Sequence, residues 1–182
     1  DTLVYDGKAN AGPEVTLTAS LVGGEQHEYV VGTVSLAGEG ERSAVVTAST
    51  SPAAVTSLTS VSQTTSGIEL EWSAPWVSTG SVVGRYIVYQ DDGAGGAVES
   101  VVSCESADAL SIACSVSGLT GGLEYVYAVS AVSAAGEGDR SGALAVSTAP
   151  AAVAGLDSTL QTTSSISLSW DALVASGDED VT

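Results

Sequence analysis

The side chains whose types and spacing bear on chemistry are few. Cys104 and Cys114 stand ten apart; they could join in a disulfide or serve as small buried hydrophobes. Glu69 and Glu71 stand two apart. On one strand that puts two carboxylates on one face, roughly 6.6–7 Å apart, within the range of inverting glycoside hydrolysis. The same pair also suits the solvated face of an amphipathic strand. Asp91-Asp92-Gly93 and Asp178-Glu179-Asp180 cluster the carboxylates that Ca²⁺ accepts, but neither has the spacing of an EF-hand loop. Asp and Gly are equally residues of tight turns. His27, the single histidine, has no second His or Cys at ligand spacing. No nucleophile elbow, Walker loop, dinucleotide fingerprint or zinc pair occurs, and no cofactor is expected.

The elements that would carry these residues follow from composition. Phe and Met are absent, and Val, Ala, Ser, Thr and Gly dominate the 182 residues, which favours many short strands over helices. The net charge is −18, and Lys8, Arg42, Arg85 and Arg140 are the only basic side chains. A nucleic-acid or anionic-membrane partner is therefore not expected, since neutralising phosphates needs Lys and Arg. Weak Ca²⁺ association at the acidic loops is compatible with that charge. No apolar run reaches the roughly 18–20 residues of a membrane span. The chain opens without Met or a signal peptide, and its first residues read as the middle of a domain. We expect a longer polypeptide with the missing strands on either side.

The sequence repeats with an offset of 98. Leu21-Val-Gly-Gly falls on Leu119-Thr-Gly-Gly, Ala37-Gly-Glu-Gly on Ala135-Gly-Glu-Gly, Pro52-Ala-Ala-Val on Pro150-Ala-Ala-Val, and Trp72 on Trp170. A period near 100 residues is one β-sandwich, too long for a solenoid turn. The repeat decides between readings of the candidate residues. Ser167 and Ser169 stand where Glu69 and Glu71 do, so the carboxylates are expected to be solvated charges and the chain not an enzyme. Asp6 and Thr16 stand where Cys104 and Cys114 do. Two cysteines that appear together in one unit and are absent together from another are expected to pair, which places the protein outside the reducing cytosol.

The frame Leu119-x-x-Gly122-x-x-Tyr125-x-x-x-Val129, followed by Ala135-Gly-Glu-Gly138-x-Arg140-Ser141, resembles strands F and G of a fibronectin type III domain. The resemblance implies an all-β chain of tandem immunoglobulin-like sandwiches, one complete and two partial. Residues 1–50 are expected to be the C-terminal part of one module, 51–149 a complete module, and 150–182 strands A and B of a third. In the complete module Ile68, Leu70 and Trp72 alternate inward on strand B, and Tyr86 and Val88 on strand C. Tyr125 and Val129 face them from strand F. Trp72, Tyr86, Tyr125 and Val129 are expected in one core, with Ile166, Leu168 and Trp170 repeating the strand-B triplet. Tyr125 would be the corner tyrosine whose hydroxyl bonds back to the backbone, a slot that holds His27 in the first unit.

Such modules serve as spacers, adhesion surfaces and rods alike. The leading expectation is a non-catalytic structural or adhesive segment of a long extracellular or cell-surface array, packed into a fibre or surface appendage. Its partners would be proteins or further copies of the repeat. Spacer modules of a secreted polysaccharide-degrading enzyme, or an intracellular scaffold, are the alternatives. Gly136-Glu-Gly138-Asp-Arg140 lacks the Arg-Gly-Asp order some such modules present to integrins. The connections Ser49-Thr-Ser-Pro52 and Ser147-Thr-Ala-Pro150 are too short for flexible tethers, so bending between units should be restricted.

Overall fold

The computed structural model describes residues 16–17, 21–76, 80–101 and 112–172. Fourteen strands and no helix appear among them: β1 Gln26–Tyr29, β2 Gly32–Ser35, β3 Gly38–Arg42, β4 Val46–Ser49, β5 Thr56–Gln63, β6 Gly67–Ser73, β7 Val83–Gln90, β8 Ser100–Val101, β9 Ala113–Ser117, β10 Glu124–Ser133, β11 Gly136–Glu137, β12 Leu144–Ser147, β13 Asp157–Gln161 and β14 Ile166–Ser169. Every pairing is antiparallel.

The centre of the chain builds two sheets. One runs β5-β6-β9; the other runs β11-β10-β7-β8, with β12 also on β10. Strict alternation on β6 explains why they face each other. Ile68, Leu70 and Trp72 are buried, whereas Glu69 and Glu71 point to solvent. Across the gap stand Tyr86 and Val88 of β7 and Tyr125, Tyr127, Val129 and Ala131 of β10, all buried. Trp72 meets Tyr86 edge to face with ring centroids 5.4 Å apart, a favoured aromatic geometry. With neither Phe nor Met available, Trp72, Tyr86 and Tyr127 are the largest fully buried side chains, and Val, Ile, Leu and Ala residues pack around them. β7 lies between β8 and β10, so its backbone is bonded on both edges.

On either side of this sandwich the strands form isolated pairs: β1 with β4, β2 with β3, and β13 with β14. The segment that matches β10 is split in the first unit, where β1 stops at Tyr29 and β2 begins at Gly32. Val30 and Val31 break the run, and the Val31 N–H donates to Ser43 Oγ. Trp170, expected in a core with Ile166 and Leu168, is 58% exposed, and its two neighbours are exposed as well. The alternating pattern is present on β14. Among the described residues, however, no second sheet lies over it, and a two-stranded hairpin cannot bury its own apolar face.

Candidate functional site

The sheet carrying β7 and β10 is buried on both faces. Opposite the core face, Ile87, Tyr89, Ala128 and Ser130 are also buried. On this second face the turn between β10 and β12 folds over the sheet, because β11 pairs with the end of β10 and brings Glu137 opposite Val132. Glu137 Oε1 accepts hydrogen bonds from Tyr89 Oη and Ser130 Oγ, each at 2.6 Å. Arg140 stacks its guanidinium 3.6 Å from the Tyr89 ring centroid and donates from Nη1 to the Val98 carbonyl at 2.7 Å. One acid, one base, one phenol and one hydroxyl thus close over the sheet.

Their electrostatics follow from these bonds. Donation from Ser130, then from Tyr89, holds the Glu137 carboxyl below its ordinary range. The same bond to Glu137, with burial behind it, raises the Tyr89 phenol. The two shifts describe one interaction seen from its two ends. Glu137 has two donors on one oxygen and Arg140 is committed to a ring and a carbonyl. The arrangement therefore works as a tie that fixes the turn and the Val98 segment to the sheet, with its charges spent internally.

The corner of the second sheet is a further polar knot. Thr120 N–H donates to Tyr125 Oη at 3.0 Å, so the phenol oxygen accepts from the backbone five residues upstream. Asp91, only 2% exposed, takes Val126 N–H at 2.9 Å and Gly93 N–H at 3.2 Å on Oδ1. Gly93 has φ +73°, and a Cβ there would stand 2.6 Å from the Tyr125 ring, so glycine alone fits this turn. Asp92 Oδ1 accepts from Ala94 and Gly96, and those amides hold its carboxyl below the usual range. The first acidic loop is thereby a turn whose carboxylates are taken up by backbone amides. Among the described residues no group of three His, Cys, Asp or Glu side chains is placed to hold a metal ion. Asp178-Glu179-Asp180 lies outside the described residues.

The other candidates separate. Glu69 lines a shallow open groove with Ser62, Thr64, Ser66 and Ser117, and Glu71 is not part of that lining. His27 does not take over the corner bond: its Nε2 lies 3.7 Å from Glu25 Oε2, beyond hydrogen-bond reach. Cys114 is buried on β9 opposite Leu70, and no cysteine among the described residues is free. Cys104 lies outside the described residues. The Tyr89–Glu137–Ser130–Arg140 tie escaped the reading of the sequence; its only trace there was a tyrosine on the polar face of β7.

No curated protein matches the chain. Among solved structures, the FN5 domain of Drosophila Lar is 21% identical, covering 55% of this chain and 99% of that one, with a TM-score of 0.43. A human fourth FNIII domain is 19% identical over 55% of this chain and 81% of that one (TM-score 0.48). The FN1–FN3 domains of chicken CNTN1 are 17% identical over 74% of this chain and 46% of that one (TM-score 0.46). The family model described as the fibronectin type III domain matches residues 53–147, more than half of the chain. The chain belongs to the fibronectin type III family.

Proposed function

We propose that this chain is a non-catalytic, structural or adhesive stretch of a longer extracellular or cell-surface protein, with modules continuing in both directions and packed into a fibre or appendage. The observation that carries this reading is a hydrogen-bond pattern that recurs with the sequence offset of 98. Gly24 N–H donates to Ser51 O and Gly122 N–H to Ala149 O; Thr50 N–H donates to Glu25 O and Thr148 N–H to Leu123 O. Val31 N–H donates to Ser43 Oγ, and Val129 N–H donates to Ser141 Oγ. Gln63 and Gln161 reach back to Ser60 and Ser158. One unit is thus copied down to its side-chain turns, as a repeating scaffold requires.

The module limits 1–50, 51–149 and 150–182 belong to this proposal, as does a bridge from Cys104 to Cys114 that places the protein outside the reducing cytosol. Protein neighbours or further copies of the array are its partners. Intact-mass measurement of native material tests the reading. A species far heavier than 17.9 kDa with further Trp-bearing repeats supports it. A discrete species of that mass, or a catalytic domain on the same polypeptide, overturns it.

A further inference from the structure

The short connection between the first and middle units is held on both of its sides. The backbone of Ser51 and Ala53 meets the first unit, and that of Pro52 meets the middle unit. Ser51 O accepts from Gly24 N–H at 2.8 Å, and a Cβ on Gly23 would stand 2.8 Å from Ala53 N. The turn Gly23-Gly24 of the first unit therefore grips residues 51 and 53. Pro52 faces the other way: a Cβ on Gly138, in the turn after β11, would overlap its carbonyl oxygen. Pro52 is itself buried and cannot rotate about φ. Finally, a Cβ on Gly80, in the connection between β6 and β7, would overlap the carbonyl oxygen of Gly24. The pole of the middle unit thus touches the first unit's turn directly.

From this we infer that the face around Gly80 and Gly138 is a docking surface for the glycine turn of the preceding unit, and that the linker clamped between them makes a stiff joint of fixed direction. Four glycines make it, because three close backbone approaches leave no room for a side chain. The gripping half recurs one offset later. Gly122 N–H donates to Ala149 O at 3.2 Å, and a Cβ on Gly121 would stand 3.4 Å from Ala151 N. The inference stands on contacts within this chain, so its failure would leave the repeat reading untouched.

The test uses the 182-residue chain with non-cysteine spin labels at positions 28 and 69, exposed sites on β1 and β6. A narrow distance distribution is expected. Gly80→Ala and Gly138→Ala should broaden and shift it, whereas Gly142→Ala should not, since a Cβ there meets nothing within 4 Å. Near-ultraviolet circular dichroism, dominated by the packed Trp72–Tyr86 pair, reports whether the middle core stays folded. Should both variants disturb it, Gly23→Ala probes the same joint from the first unit and should broaden the distribution alike. A distribution already broad in the parent chain, or one left narrow by Gly23→Ala, would overturn the joint.

Discussion

Residues 25–50 and 123–148 are the same hairpin folded twice in one chain. Both close the same backbone bonds, and both tie a valine amide to a serine hydroxyl twelve residues on. They part company in burial. Val129 is wholly buried, whereas Val31 at the matching position is 71% exposed; Tyr127 is buried and Tyr29 only half so. The middle copy has β7 along its edge and the β5-β6-β9 sheet across its face, and the first copy has neither among the described residues. Acidic side chains follow the same division. Glu137 is taken up by Tyr89 of β7 and by Ser130, while its counterpart Glu39 pairs with Arg42 at 3.0 Å on an exposed face where Gly32 stands in place of Ser130. Local sequence thus sets the turns and ladders, and partners far along the chain decide what becomes a core.

The sharpest way to break this comparison is to truncate the matching tryptophans. Trp72→Ala should destabilise the middle unit by about 3–5 kcal/mol, since it empties the centre of the core. Trp170→Ala should change stability by under about 0.5 kcal/mol, as expected of an exposed position. Urea unfolding followed by circular dichroism reads both, and equal losses would mean that the third hairpin is also packed.

The cysteine pair distinguishes the middle unit from the first. Closing a loop of this size contributes roughly 3 kcal/mol in the chain-entropy model, so reduction should lower the melting temperature of the middle unit. Non-reducing peptide mapping should recover the two cysteine peptides linked. Free alkylation of both thiols in the native protein would remove the bridge and the oxidising location with it.

Tyr125→Phe should cost about 1 kcal/mol, because Thr120 N–H loses its acceptor in a half-buried corner. His27→Phe should cost less, as the imidazole makes no corner bond. Thermal melts of the two variants compare the corners directly.

The smallest effect is a pH dependence. The Glu137 carboxyl is lowered in the folded state, so its stabilisation is fully present above its ordinary value of 4.5 and fades as pH falls through the folded value. Glu137→Ala should flatten the acid limb of the stability profile. Glu39→Ala should change overall stability little, because an exposed pair contributes little. The raised Tyr89 phenol adds an alkaline limb, present below its ordinary value of 10.0 and lost as pH rises through the folded one.

How much of this was legible in the sequence depended on the range of the interaction. Alternation alone placed Ile68, Leu70 and Trp72 inward and Glu69 and Glu71 outward, since a strand's two faces are fixed by its period. The spacing from Leu119 to Tyr125 located the corner, because that bond spans five residues. Tyr89 and Glu137 stand 48 apart and meet only because β11 folds back over β10, which no local pattern states. Asp91 looked like a solvated turn residue, yet it is buried because Val126, on the neighbouring strand, presents an amide to it. Trp170 carried the right pattern, but among the described residues no second sheet turns that pattern into burial.

Amide hydrogen exchange along the two copies of the hairpin tests the central claim most directly. The Tyr127 and Val129 amides should exchange only through global unfolding of the middle unit, while those of Tyr29 and Val31 should exchange through local opening, orders of magnitude faster. Equal protection at the matching positions would contradict the claim that the recurring local pattern folds the hairpin while distant strands make it a core.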